Sequence, residues 1–287
     1  MGSADYTESA TGRTRFSGEY RVMKTLILTR ADVERVATMQ LAVDAVERAF
    51  AGFGRGEAIM PPKVYLPIDD HDGDFRAMPA RLGDSAGIKW VNVHAQNPKR
   101  YELPTVMAVY VLNDPANAFP LAVMDGTLLT AMRTGAAGAV ASKYLARGAP
   151  STISFIGCGV QAHTRHGTHE VVFGEFESLA HDRNAATAQR FADQVGERVV
   201  SLEEAAGADI VCTATPSRTP FLEAPWIQPG AHINAMGADA PGKRELSTET
   251  LKGAAVYIDD VHQASTSGEI NVPLAEGDFT LDDIAGT

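Results

Sequence analysis

Ile153 to His163, ISFIGCGVQAH, is the stretch on which the fold turns. An apolar, β-rich run enters two glycines, Gly157 and Gly159, and a small residue, Ala162, follows three positions later. In a strand-to-helix turn these positions have separate jobs. The first glycine makes the tight turn, the second lets the backbone approach a pyrophosphate, and the third position stays small so that helix and strand can pack. The free N–H groups of the helix's first turn then face the phosphates. Asp182 lies twenty residues beyond Ala162, at the end of the next strand-like segment, ESLAHDRN. A carboxylate there accepts from the ribose hydroxyls and repels a 2′-phosphate, which points to NAD. Arg183, next to it, keeps NADP open: it is a partner for a 2′-phosphate, a stack on adenine, or a solvated charge.

Working outward, Gly148–Pro150 breaks the chain just before this motif. Beyond it, strand-like and helix-like segments alternate: STISFIGCG, HTRHGTHEVVFGEF, ESLAHDRN, AATAQRFADQV, RVVSLEEAAG, ADIVCTAT, AHINAMG and AAVYIDD. That alternation implies a parallel sheet with helices on both faces, a Rossmann-type doubly wound α/β fold. The amino-terminal half reads differently. TRADVERVATMQLAVDAVERAFAGFGRGE has apolar residues at helical spacing, from Val33 to Phe50, and ends in glycines. Short strands follow in KVYLPI, DFRAMPARL, AGIKWVNVH and PTVMAVYVLND, and then a small-residue helix, TLLTAMRTGAAGAVASKYLARG. The expected organisation is a tail over residues 1–22, an α+β substrate and dimerisation domain over 23–133, and an NAD-binding domain over 134–287. The first 22 residues lack an apolar stretch and so are no secretion signal. They read as a disordered tail, a tag remnant, or a start placed too early, with Met23 as the natural one.

Composition narrows the partners. A net charge of −11 argues against nucleic acid and against an anionic membrane, since both repel an acidic surface. No apolar run reaches the ~18 residues of a membrane helix. Cys158 and Cys212 fit no metal-ligand spacing and read as two small buried thiols in a reducing, cytoplasmic compartment; no metal site is expected.

Cations recur in the strand region: Lys63 in MPPKVYL, Arg76 in DFRAMPA and Lys89 in GIKWVN, with Arg133 on the small-residue helix. Singly, each is the solvated face of a strand. Together they suggest a pocket for a small carboxylate, which needs charge-assisted donors. Asp239, in NAMGADAPGK, follows an apolar strand amid glycines; it is either an ordinary turn aspartate or a ligand group beyond a strand end.

From Met23 onward the chain resembles the ornithine cyclodeaminase/mu-crystallin family, and within it the archaeal alanine dehydrogenase type. The resemblance is carried by MPPKVYL, DFRAMPA, GIKWVNVH, LPTVMA, FPLAVMDGT, RTGAAGAVASKYLAR, FIGCGVQA, TATPSRTP, INAMGADAPGKREL and DD-x-x-QA-x-x-x-GEIN. It implies that Lys63 and Arg76 hold the substrate carboxylate. It makes Lys89 a candidate proton carrier, puts Arg133 where substrate and cofactor meet, and gives Asp239 the amino group. Thr105, Gly157, Gly159, Gln161, Ala162, Asp182, Thr213 and Thr215 match dinucleotide-lining positions. The implied activity is reversible, NAD-dependent deamination of L-alanine to pyruvate by a homodimer. Ornithine cyclodeamination, reduction of a cyclic imine, and ligand binding without catalysis are the other activities the family offers. Relatives continue past Asp282–Thr287 with a helical segment that returns to the first domain, and the sequence has no counterpart of it.

Overall fold

The structure, a computed structural model, describes residues 23–287. The reading of residues 1–22 therefore lies outside the described residues. The first unit contains β1 (Leu26–Leu28), α1 (Arg30–Val36), α2 (Met39–Gly54), β2 (Ala58–Ile59), β3 (Val64–Ile68), β4 (Gly73–Leu82), β5 (Ser85–His94), α3 (Asn97–Arg100), β6 (Val106–Asn113) and β7 (Pro120–Asp125). The strands form one sheet in the order β1-β7-β6-β5-β4-β2, with β3 on the same edge of β4 as β2. All neighbours are antiparallel except β1 and β7, which run parallel with Leu26 opposite Ala122. Period-two alternation then sorts the side chains. Arg76 lies opposite Val91 and Met78 opposite Lys89, so these residues share the inner face. Val64, Leu66, Trp90 and Val109 belong to the outer face and are exposed.

The helical reading of residues 29–57 needs one correction. The segment is two helices, not one. Thr38 adopts an extended conformation and its hydroxyl accepts from Leu41 N, starting α2, while extended Ala37 closes α1. A second N-cap threonine inside a periodic run restarts the helix at a new angle without disturbing the apolar spacing.

α4 (Thr127–Leu145) links the two units. It packs against α2 and β6 on one side and β12, described below, on the other, so the expected division at 133/134 falls inside it. Its small residues are functional in packing. A Cβ added at Gly135 would lie 2.6 Å from the Thr164 carbonyl, which shows how closely the next helix approaches.

The second unit runs β8 (Thr152–Ile156), α5 (Val160–Phe173), β9 (Glu177–His181), α6 (Ala185–Val195), β10 (Arg198–Val199), α7 (Leu202–Ala206), β11 (Ile210–Thr213), β12 (His232–Ala235), α8 (Thr248–Lys252), β13 (Val256–Tyr257), α9 (Val261–Ser267), α10 (Asn271–Glu276) and β14 (Ile284–Gly286). Five strands are parallel in the order β10-β9-β8-β11-β12. The order reverses between β8 and β11, which is the topological switch point of a doubly wound sheet. Phe155, Ile153, Ile210 and Cys212 form one buried face of this sheet with Phe191 of α6. AAVYIDD does not join it, against expectation. The loop after β12 is held over the ends of β11 and β12, and β13 pairs instead with β14 in a separate two-stranded ribbon.

Candidate active site

A cleft of about 2550 Å³ separates the inner face of the first sheet from the carboxyl ends of β8, β11 and β12. Its two ends differ chemically, and each is set by the elements that wall it.

At the switch point, Gly157 has φ +92°, and a Cβ there would meet the Ala214 carbonyl at 2.7 Å. Only glycine makes this turn without strain. Gly159 is different: a Cβ there would meet no protein atom within 4 Å and would enter the cleft. α5 starts at once, its N-cap glycine supplying no side chain to satisfy the first-turn N–H groups. Gln161 adds a buried side-chain oxygen without a partner among the described residues. Unsatisfied donors, an unpartnered amide oxygen and empty space above Gly159 fit a pyrophosphate. Ala162 is buried and packs α5 on β8. The Asp182 carboxylate accepts from Cys158 N at 2.9 Å and Asn184 N at 2.7 Å, so it is fixed at the end of β9 beside the glycine turn. Arg183 is exposed. Thr105 and Thr215 line the cleft, whereas Thr213 is fully buried and gives its hydroxyl to Glu245.

At the other end, Lys63, Arg76, Lys89 and Arg133 converge with Asp239. β4 and β5 place Arg76 and Lys89 two residues apart in register on one face, and α4 delivers Arg133 from behind. Arg76 is 6% exposed and is held as a fork: Nε to Asp74 at 2.6 Å, Nη2 to Asp74 at 2.9 Å, and Nη1 to Asp239 at 3.1 Å. These contacts raise its already high pKa further. Asp239 also pairs with Lys243, four residues on. Both cations hold its carboxylate below the usual range against the opposing effect of burial. Lys89 has no such partner. Burial, with Arg133, Lys63 and Arg76 nearby, pushes its pKa down from 10.5 to about 6. Burial also lowers Lys63 and Arg133, the latter walled in by protein yet open to the cleft.

Asp74 and Lys243 were not singled out from sequence. Asp74 lies in an acidic hairpin where nothing marks one carboxylate from its neighbours, but its spacing of two from Arg76 on a strand is a legible same-face pairing. Among the described residues no group of His, Cys, Asp or Glu is arranged to hold a metal ion, and no helix is long and apolar enough to cross a membrane.

The comparisons with known proteins extend over most of the chain. The alanine dehydrogenase of Archaeoglobus fulgidus is 48% identical over 270 residues, covering 92% of this chain and 83% of its own. A solved archaeal alanine dehydrogenase dimer with bound NAD superposes with a TM-score of 0.89 at 47% identity, covering 92% of this chain and 83% of that one. The Thermococcus litoralis Δ1-pyrroline-2-carboxylate reductase, solved with NADH and L-proline, gives 0.86 at 35% identity, over 91% and 84%. The family model matches residues 23–285, and the relatives above match over nine-tenths of this chain: the chain belongs to the ornithine cyclodeaminase/mu-crystallin family.

Proposed function

We propose that this chain catalyses the NAD-dependent oxidative deamination of L-alanine to pyruvate and ammonium, reversibly. The observation that carries the reading is the Arg76–Asp239 ion pair across the cleft, 3.1 Å from Nη1 to Oδ2. A guanidinium and a carboxylate side by side are the complement of an α-amino acid, whose carboxylate and ammonium are one carbon apart. The zwitterion replaces one ion pair by two: its carboxylate takes Arg76 with Lys63, and its ammonium takes Asp239. The inner sheet face beside these groups offers Met78 and Val91, apolar contacts suited to a methyl group.

NAD is the cofactor, supported by the fixed Asp182 carboxylate and by the NAD and NADH held in the similar structures. When bound, it accepts hydride from the substrate α-carbon. Lys89, neutral near pH 7, takes a proton from the substrate ammonium so that the nitrogen lone pair can expel that hydride. Asp239 offsets the charge of the resulting iminium. Lys89 passes its proton to solvent, and water adds to the iminium carbon and loses a proton to Lys89 or Asp239. Collapse of the carbinolamine returns a proton to nitrogen and releases ammonium and pyruvate. The chain acts as a homodimer through the outer face of the first sheet, where Val64, Leu66, Trp90 and Val109 lie exposed on adjacent strands.

The test is direct. With alanine and NAD, NADH absorbance should rise steadily, and pyruvate with ammonium should reverse it. Proline formation from ornithine with catalytic NAD and no NADH release, alongside inert alanine, would replace this reading with cyclodeamination.

A further inference from the structure

Two acidic residues, Glu245 in KREL and Glu269 in GEIN, have no part in the chemistry above, yet they lie under the site. Glu245 is completely buried. Its Oε1 accepts from Thr215 N at 2.6 Å and Thr215 Oγ1 at 2.8 Å; its Oε2 accepts from Thr213 Oγ1 at 2.6 Å and Gly237 N at 2.8 Å. Among the described residues no lysine or arginine bonds to it. A buried carboxylate is costly unless its lone pairs are filled, and here four donors fill them.

The identity of the donors gives the arrangement its meaning. Thr213 and Thr215 lie at the end of β11, on the cofactor side of the switch point. Gly237 lies just past β12, two residues before Asp239. The fit is tight: a Cβ at Gly237 would fall 2.5 Å from the Glu245 carboxyl carbon. Glu245 is itself held from behind, because its own N–H and that of Leu246 donate to Glu269 Oε1 at 2.7 and 2.6 Å. Asn271 of the same GEIN motif accepts from Gly242 N at 2.9 Å and donates to the Lys243 carbonyl at 2.9 Å. The side-chain contacts of Glu245 and Glu269 in this relay end on the loop that carries Asp239 and Lys243 or on the end of β11 and the residues after it.

We propose that Glu245 is a positioning residue that joins the β11 and β12 loops and so sets Asp239 in register with the cofactor, with Glu269 holding Glu245 in place. The proposal rests on the assignment of Asp239 to the substrate amino group.

Glu245→Gln keeps the shape but turns an amide N–H₂ onto two donors. NADH affinity, read by fluorescence, should fall by about threefold to tenfold as the Thr215 loop loosens, and kcat with alanine by about tenfold or more. The distinguishing measurement is a double-mutant cycle with Asp239→Asn. If Glu245 acts through Asp239, Glu245→Gln costs less than about threefold in kcat in the Asp239→Asn background, whereas general destabilisation multiplies the losses. Single-variant kcat and NADH affinity within about twofold of the parent, or multiplied losses in the cycle, overturn the proposal. If Glu245→Gln fails to fold, Thr213→Val removes one donor only and is judged by the same cycle. Parent enzyme inert with alanine fails the substrate reading instead, and the NADH arm still decides whether Glu245 holds the cofactor-side loop.

Discussion

Lys89 shows how position alone makes a reactive group. Its neighbours on the inner face are cations, and its pKa near 6 follows from burial and their proximity. For alanine oxidation it must be neutral, so kcat/KM should rise with pH through about 6 and level off above. A flat profile from pH 5 to pH 8 would remove Lys89 from proton transfer. The same depression has a stability sign. Between about 6 and 10.5 the unfolded chain carries a proton that folded Lys89 does not, so stability rises with pH across that window. Lys89→Met should therefore abolish turnover yet stabilise the fold near pH 7 by on the order of 2 kcal/mol once screening in the open cleft is allowed for, seen as a higher Tm, and the gain should vanish towards pH 10. At this scale the sequence was partly legible. Lys63, Arg76 and Lys89 stand out as cations between apolar residues, but their convergence depends on the β4–β5 register, which no local pattern states. Glu245 was illegible for a similar reason. A glutamate in KREL looks solvated until the fold brings Thr213, Thr215 and Gly237 onto it.

The strand–turn–helix of β8 and α5 separates two uses of glycine. At Gly157 any Cβ strains a φ of +92° and strikes the Ala214 carbonyl, so Gly157→Ala should cost roughly 1–2 kcal/mol in stability as well as NADH binding. At Gly159 a methyl meets no protein, so Gly159→Ala should leave Tm unchanged while lowering NADH affinity by about tenfold or more. Undiminished NADH binding by Gly159→Ala would mean that the pyrophosphate lies elsewhere. This element was read from the sequence because its signal is local: an apolar run, glycine spacing and a small third residue. The α1–α2 break was hidden because apolar spacing continues across it and only the Thr38 cap marks it. The ribbon of β13 and β14 was hidden because a two-residue apolar strand carries no sign of its partner.

For the whole molecule, the outer face of the first sheet is the feature with the widest consequence for assembly. Leu66, Val64, Trp90 and Val109 are 52%, 64%, 40% and 44% exposed on neighbouring strands, and Phe75 stacks on Trp90 at 5.4 Å between ring centroids. These exposed apolar residues are the face through which the proposed homodimer would pair. Light scattering should give a dimer, and Trp90→Asp combined with Val109→Asp should give a monomer; a parent chain that is monomeric and fully active refutes the assembly. The change from the mainly antiparallel sheet to the parallel one was legible in the pattern after Pro150. The shared helix was not, because α4 reads as one uninterrupted run of small residues whichever unit it serves.

The parallel pairing of β1 with β7 also dictates an order of events. Leu26–Leu28 is the first described strand of the chain, yet among the described residues its only partner is Ala122–Met124. During synthesis the opening strand has no ladder to join until nearly a hundred residues have followed it. The hairpins β3–β4, β4–β5 and β5–β6 close locally and early, as do the contacts of α5 with β8. In chain order the edge strand is the last of this sheet to gain its partner. Its docking is thus a long-range step with a high loop-closure cost, and we expect it to follow the nucleus. Substitutions at Ile27 should accordingly speed unfolding and leave the refolding rate nearly unchanged.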